Sequence, residues 1–195
     1  MKILVACEFS GIVGAAFTAA GHEVVTCDLL PTEGDRICHI QCDVLKLRKR
    51  RFDLVIAFVP CTYLTVSGNR WRRRKGRAAL QAKAIAFFKA LWGFNAPRIA
   101  IENPVGIMST EFRKPDQVIQ PWQFGHAENK KTCLWLKNLP LLRPTKIVRW
   151  KLKRLSVATA NRVHHATPGK DRWKDRSRTL PGIAAAMAQQ WGALL

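Results

Sequence analysis

Two short apolar runs in the sequence each end in residues that can do chemistry. The run Leu-Val-Ile-Ala-Phe is followed, after one further residue, by Pro60 and Cys61. About forty residues later the run Ile-Ala-Ile is followed by Glu102 and Asn103. Open α/β sheets place their ligands at the carboxyl ends of buried strands, so a thiol and a carboxylate are both expected at that edge. Such a pair is typical of nucleophilic catalysis assisted by proton transfer.

A glycine-containing turn follows the first apolar run, residues 3–6. It contains Phe9, Ser10, Gly11 and Gly14. Glycines at a strand-to-helix turn let the backbone approach a ligand closely. The alternative is that they only turn the chain, and the turn alone does not decide between the two.

A basic run follows Cys61 closely. Its cations are Arg70, Arg72, Arg73, Arg74, Lys75 and Arg77. These residues are able to contact phosphates and to provide a field that favours ionisation of a nearby thiol. The alternative is an ordinary solvated patch, which is the usual fate of a charge run.

Alternating strands and helices predict the elements that position these residues. Strands are expected at 3–6, 23–27, 53–58, 98–101 and 132–136, and helices after Ser10, at 78–92 and at 181–191. Residues 31–42 are predicted to be a polar loop. The alternation favours an α/β fold with a mostly parallel sheet covered by helices on both faces.

Changes in composition and periodicity along the sequence predict three parts. Residues 1–136 carry the strand and helix pattern of an α/β domain, and residues 137–176 are basic and lack a regular period. Residues 177–195 contain an alanine-rich helix that we expect to pack back on the sheet.

Composition limits the classes of partner. The 195 residues contain 33 Lys and Arg against 13 Asp and Glu, a formal charge of +20. Such an excess predicts attraction to a polyanion, and nucleic acid is favoured over a membrane surface. No apolar stretch reaches the roughly 18 residues that a spanning helix needs. Six irregularly spaced cysteines without a secretion signal favour reduced thiols in a cytoplasm.

A zinc site is the rival interpretation of the cysteines. Cys38, Cys42 and Cys27 lie near one another in the sequence, but no second Cys-x-x-Cys pair or suitably spaced His pair accompanies them. We therefore expect no metal.

The motifs together resemble the DNA (cytosine-5) methyltransferase family, in order over most of the chain. The segment Val59-Pro60-Cys61 resembles the family's Pro-Pro-Cys nucleophile motif, and Glu102-Asn103-Pro104 resembles its Glu-Asn-Val motif. The turn from Cys7 to Gly14 resembles the glycine loop Asp-x-Phe-x-Gly-x-Gly-Gly. The family's closing segment has a looser counterpart at residues 178–184.

This resemblance implies a Rossmann-like S-adenosylmethionine-dependent methyltransferase fold, and it implies roles for the motif residues. Cys61, beside Pro60, would add to C6 of cytosine, while Glu102, beside Asn103, would hold N3. The residues implied to bind S-adenosylmethionine are Phe9, Ser10, Gly11, Gly14, Asp28, Leu29, Asp43 and Val44. Asp28 would accept hydrogen bonds from the ribose hydroxyls. Lys130 and Thr132 take the places of two family arginines expected to bind DNA.

Departures from the family pattern keep two other functions open. Cys7, Val13, Val59, Lys130 and Thr132 all differ from the family's residues, as expected of a non-catalytic nucleic-acid binding protein on the same scaffold. The short region 137–176 would replace a large target-recognition domain, as expected of an enzyme for free cytosine nucleotides. The charge of +20 argues against that second alternative. A chain this compact would suit a phage-encoded protein.

Overall fold

The computed structural model describes residues 1–35, 37–66 and 75–194. Their strands are β1 (Lys2–Ala6), β2 (Glu23–Asp28), β3 (Cys38–Gln41), β4 (Leu54–Phe58), β5 (Arg98–Pro104), β6 (Gln117–Ile119) and β7 (Thr132–Lys137). Their α-helices are α1 (Ile12–Ala19), α2 (Arg77–Trp92), α3 (Met108–Glu111), α4 (Arg149–Leu152), α5 (Val157–Ala160), α6 (Arg162–His165), α7 (Arg172–Ser177) and α8 (Pro181–Gly192).

The strands form one sheet in the order β3-β2-β1-β4-β5-β7-β6. The five strands from β3 to β5 in this order are parallel. Strand β7 runs antiparallel between β5 and β6. The prediction of a mostly parallel α/β sheet is confirmed, and the carboxyl ends of β4 and β5 lie side by side.

Two strands were missed by the sequence analysis. The prediction of a polar loop over 31–42 is wrong at Cys38–Gln41, which is β3 and pairs in parallel with β2. None of its four side chains is buried, so the segment lacks the apolar run that would predict a strand. Its backbone pairing at a sheet edge defines it instead. The other missed strand, β6, is only three residues long.

Helices cover both faces of the sheet. On one face α8 contributes six buried residues to a core shared with α1 and with Ile3 and Val5 of β1. On the other face Phe88 and Leu91 of α2 are completely buried, and Phe88 meets Trp135 edge-on with ring centroids 5.1 Å apart. Leu80 of the same helix is 42% exposed.

Residues 137–176 contain short helices, α4 to α7, of four to six residues each. Neither α4 nor α7 has a buried residue. No described helix is long and apolar enough to cross a membrane. Within 1–35, 37–66 and 75–194, no three His, Cys, Asp or Glu side chains are grouped to hold a metal ion.

Candidate active site

Cys61 lies in a tight turn just beyond the carboxyl end of β4. Its carbonyl oxygen accepts hydrogen bonds from the backbone N–H groups of Leu64 (2.9 Å) and Thr65 (3.1 Å). The Cys61 side chain is partly buried, while the preceding Pro60 is exposed. The turn therefore presents the thiol at the sheet edge where ligands bind in this class of fold.

Two neighbouring elements hold this turn in place. Fully buried Asn103 in β5 donates a side-chain hydrogen bond of 2.8 Å to the Val59 carbonyl, two residues before Cys61. From α2, Gln81 donates to the Tyr63 carbonyl at 2.9 Å. Asn103 is thus placed where it positions Cys61, and its own Oδ1 has no hydrogen-bond partner among the described residues.

Gly106 allows the loop after β5 to lie directly against the Cys61 turn. A Cβ at this position would stand 1.9 Å from the Leu64 carbonyl oxygen, which no side chain tolerates. The same oxygen accepts a hydrogen bond of 2.9 Å from the Ile107 N–H. The turn and the loop therefore form one packed unit that joins the ends of β4 and β5.

Glu102 is the carboxylate of the adjacent strand. In the parallel register it pairs with Phe58, three residues before Cys61. Burial raises the pKa of the Glu102 carboxyl, while the charge of Lys130 and the Thr132 hydroxyl lower it. The balance is upward, so this carboxyl holds its proton to a higher pH than an exposed one.

The charge of Glu102 affects the ionisation of Cys61. Burial raises the pKa of the Cys61 thiol most, and the negative charge of Glu102 raises it further. Lys130 and Arg176 lower the pKa of the same thiol. Because two nearby negative charges disfavour each other, a thiolate at Cys61 is less disfavoured when the Glu102 carboxyl is neutral.

A small pocket opens beside Glu102. Its lining residues are Phe58, Glu102, Lys130, Thr132, Ser177, Thr179, Leu180, Ile183 and Met187. The space inside is about 20 Å³, close to the room that one water molecule requires. One wall is the sheet edge, and the opposite wall is the end of α7 and the start of α8.

Residues 178–184, which we call the closing segment, lie beside this pocket and are held there by hydrogen bonds. The Lys130 ammonium donates hydrogen bonds to the carbonyls of Arg176 (3.1 Å) and Arg178 (3.5 Å). The Gly182 N–H donates to Nε2 of His126 at 2.9 Å. Burial lowers the pKa of His126, which favours the neutral ring that can accept this bond.

The glycine loop, residues 9–14, packs against the chain itself. Gly11 has φ of +74°, and a Cβ there would lie 2.7 Å from the Cα of Gly34. A Cβ on Gly14 would lie 2.5 Å from the Thr26 methyl carbon. Both glycines are therefore needed for close backbone packing, whatever else the loop does. Ser10 donates its hydroxyl hydrogen bond to the Glu8 carboxylate at 2.5 Å.

The other residues implied to hold the cofactor lie at the ends of β2 and β3. The Asp28 carboxylate accepts a hydrogen bond from the Leu30 N–H at 3.0 Å, and Leu29 between them is 72% exposed. Asp43 is exposed and caps a short 3-10 turn by accepting from the Leu45 N–H. Val44 is buried in the core, so its side chain is turned away from solvent.

The chain was compared with known proteins once this geometry was established. No protein-family profile matches the sequence. No curated protein matches it either. A candidate DNA modification methyltransferase encoded within an E. coli prophage matches with a TM-score of 0.50, 16% identity, 76% of this chain covered and 52% of that one. This chain therefore shares the α/β, Rossmann-like fold of a methyltransferase.

Two other solved structures are more distant. A DNMT2 variant from Spodoptera frugiperda has a TM-score of 0.44, 15% identity and coverage of 75% of this chain and 54% of that one. The 16S rRNA methylase RmtB has a TM-score of 0.36, 16% identity and coverage of 70% and 55%. The chain spans about half the length of each of these three structures.

The edge expected to hold a cofactor consists of the carboxyl ends of β1 and β2 with the glycine loop, and we call it the cofactor edge. Other parts of the chain cover it. The Phe9 ring is only 6% exposed, with the Trp173 ring centroid 5.9 Å from its own. The Arg178 guanidinium lies 5.8 Å from the same ring and pairs with Glu33 at 2.8 Å. Residues from both ends of the chain thus close this edge together.

Glu8 lies at the same edge, and the sequence analysis did not single it out. One carboxylate oxygen accepts from Ser10 and from the Ile12 N–H at the start of α1. The other oxygen is buried and has no hydrogen-bond partner among the described residues. Burial raises the pKa of this carboxyl, although its hydrogen bonds oppose the shift. The adjacent Cys7 occupies the family's acidic position, a signal that could have directed attention to Glu8.

The residues implied to bind DNA are placed differently from one another. Lys130 lines the pocket, and Thr132 is 4% exposed, so both lie near Glu102 and not on an open surface. Lys75 is exposed, whereas Arg77 donates to the Thr62 carbonyl at 3.3 Å. The remaining cations of the basic run, Arg70, Arg72, Arg73 and Arg74, lie outside the described residues.

Proposed function

We propose that the protein transfers a methyl group from S-adenosylmethionine to C5 of cytosine in DNA. The observation that carries the proposal is that Cys61 follows β4 while Glu102 lies near the end of the adjacent parallel strand β5, where its charge acts on the thiol. Few reactions need a thiol and a carboxyl group at neighbouring strand ends. Addition to a pyrimidine ring is one of them.

The thiol is needed because C5 of cytosine is a weak nucleophile. When the Cys61 sulfur bonds to C6, the electrons of the C5–C6 double bond move towards N3, and protonated Glu102 supplies a proton there. C5 is then nucleophilic enough to take a methyl group. After a base removes the C5 proton, the sulfur leaves C6, the double bond re-forms and the N3 proton returns to Glu102.

The ionisation of the two groups is set by burial and by the charges around them. Burial and the Glu102 charge raise the pKa of Cys61, while Lys130 and Arg176 lower it and so stabilise the thiolate. Burial raises the pKa of Glu102 and so stabilises its neutral form, while Lys130 opposes that shift. A neutral Glu102 removes the negative charge that disfavours the thiolate, so protonation of the carboxyl makes ionisation of the thiol easier.

The cofactor edge suits S-adenosylmethionine in residue type. Asp28 ends β2, and we expect its carboxylate to accept hydrogen bonds from ribose hydroxyls. The buried, unpaired oxygen of Glu8 lacks a donor that a cationic ligand would supply. When bound there, S-adenosylmethionine supplies the electrophilic methyl group. We expect Trp173 and Arg178 to move away from Phe9 to admit it.

Charge supports a nucleic-acid substrate. The chain carries +20, and residues 129–170 contain eleven Lys and Arg without any Asp or Glu. Binding should come mostly from phosphate contacts and should fall steeply with salt. Since the target atom is stacked inside a duplex, the cytosine has to be flipped out or already unpaired.

Methyl incorporation into DNA tests this proposal. Purified protein is incubated with DNA and S-adenosylmethionine labelled on the methyl group, and 5-methylcytosine is measured by mass spectrometry. Cys61→Ala should abolish the product while DNA binding persists. Cys38→Ala is the matched control, because Cys38 is exposed on the edge strand β3 and should retain activity. Product from the Cys61→Ala variant would refute the proposal.

A second candidate function is nucleic-acid binding without catalysis. The covered Phe9 ring and the cavity of about 20 Å³ favour it, because neither has room for a ligand in this arrangement. Titration calorimetry distinguishes the two functions. Heat of binding with S-adenosylmethionine supports the enzyme, and its absence with properly folded protein supports the binding protein.

A further inference from the structure

Helix α4 carries an exposed tryptophan, Trp150, and lies within residues 129–170, which contain no Asp or Glu. Trp150 is 53% exposed, although large aromatic side chains are usually well covered. The helix itself contains no buried residue. It is held from its N-terminal side, where buried Val148 donates a backbone hydrogen bond of 2.8 Å to the Trp122 carbonyl. The helix that carries the exposed ring is therefore held to the rest of the structure.

Cations lie over the aromatic rings here. The Lys151 ammonium lies 5.5 Å from the Trp150 ring centroid, and the Arg154 guanidinium lies 5.1 Å from it. On the adjoining surface the Arg149 guanidinium lies 5.3 Å from the Trp122 ring centroid. A flat exposed ring with two mobile-headed cations next to it matches a ligand that has both a flat ring and a phosphate.

The combination favours an unpaired base over the alternatives. A base stacks on an indole ring only if its own face is free, and in a duplex both faces are covered by neighbouring base pairs. A base that stacks on the ring takes the place of the cation over that face, and the displaced Arg154 or Lys151 side chain is then able to contact the phosphates next to the base. An acidic protein would satisfy the cations but would not need the flat ring.

We propose that Trp150, Lys151 and Arg154 form a binding site for single-stranded DNA, in which an unpaired base stacks on the indole ring. This inference deepens the proposed function and rests on its nucleic-acid substrate, but not on methyl transfer or on Cys61. According to this proposal, the Trp150 side chain makes the protein bind single-stranded DNA more tightly than duplex DNA. The other basic residues contact phosphates in both kinds of DNA.

Fluorescence anisotropy with a labelled oligonucleotide and its matching duplex tests the site. The measurements contain no cofactor, so a failure of methyl transfer leaves their result intact. Trp150→Ala should weaken binding of the single strand by about 5- to 150-fold, the usual effect of losing one base–aromatic stack. Binding of the duplex should change by less than about twofold, because its phosphate contacts remain.

Two further variants complete the test. Trp150→Phe should keep most of the single-strand affinity, since a phenyl ring still stacks. Ile147→Ala is the matched control, because Ile147 is 62% exposed nearby and offers no flat ring, so its removal should leave both affinities unchanged. Equal losses for single strand and duplex with Trp150→Ala, or no loss for either, would overturn the proposal.

Discussion

Asn103→Ala is the most informative perturbation of the turn that carries Cys61. The Asn103 side chain is completely buried, and its amide donates 2.8 Å to the Val59 carbonyl. Removing the donor leaves that carbonyl without this bond in a water-free position. Leaving a buried acceptor unsatisfied costs about 1–3 kcal/mol, and the cavity left by the missing atoms adds to the loss.

The same change should act on catalysis through the position of Cys61. Val59 is two residues before the nucleophile, so a loosened carbonyl allows the thiol to drift. If the 1–3 kcal/mol appears in the reaction barrier, kcat falls by about 5- to 150-fold. We expect little change in KM for DNA, because Asn103 is buried and does not face the basic surface.

Urea unfolding and steady-state methyl transfer measure the two effects separately. Gln117→Ala is the control, because its side chain makes two hydrogen bonds of 2.8 Å with the Leu142 backbone at the far edge of the sheet. It should lose comparable stability while keeping its kcat at temperatures where it is folded. If Asn103→Ala loses no more kcat than Gln117→Ala does, the positioning role assigned to Asn103 is wrong.

Three other changes test the electrostatics, the glycine loop and the cover. Because burial raises the pKa of Glu102 from 4.5, the contribution of this carboxyl to stability should fall as the pH rises above about 4.5. Glu102→Gln should remove that fall, as measured by urea unfolding between pH 4 and 8. An unchanged slope of stability against pH would contradict the raised pKa of Glu102. The same variant should reduce kcat by about 10²- to 10⁴-fold. Gly14→Ala should cost about 1–3 kcal/mol by overpacking against β2, whereas Gly169→Ala, with open space around it, should be neutral in the same assay. Arg178→Gln breaks the exposed ion pair with Glu33, so stability should fall by less than about 1 kcal/mol. Stopped-flow mixing should show faster binding of S-adenosylmethionine to this variant, and slower binding would rule out a cover.

The parallel core of the sheet was predictable because its strands are buried on both faces. Strand β4 and the start of β5 are nearly continuous apolar runs, which need no partner to be recognised. Strand β3 could not be recognised in this way, because its side chains are half-exposed and its pairing with β2 depends on the backbone. The same apolar runs placed Cys61 and Glu102 at neighbouring strand ends.

The residues that surround this pair could not be placed from the sequence. Lys130 was expected to contact DNA, but the antiparallel return of β7 sets it beside Glu102. Arg178 and Glu33 are 145 positions apart, so their ion pair leaves no local signal. Such contacts depend on how the ends of the chain fold over the sheet, and local sequence patterns do not predict them.

Covalent trapping tests the central claim, that Cys61 is the nucleophile, most directly. An oligonucleotide containing 5-fluorocytosine is incubated with the protein and S-adenosylmethionine. Fluorine replaces the C5 proton that has to leave, so sulfur added at C6 stays attached. We predict a DNA–protein adduct by intact mass, mapped by peptide digestion to Cys61. No adduct under conditions where DNA and S-adenosylmethionine both bind, or an adduct on another cysteine, would contradict the account.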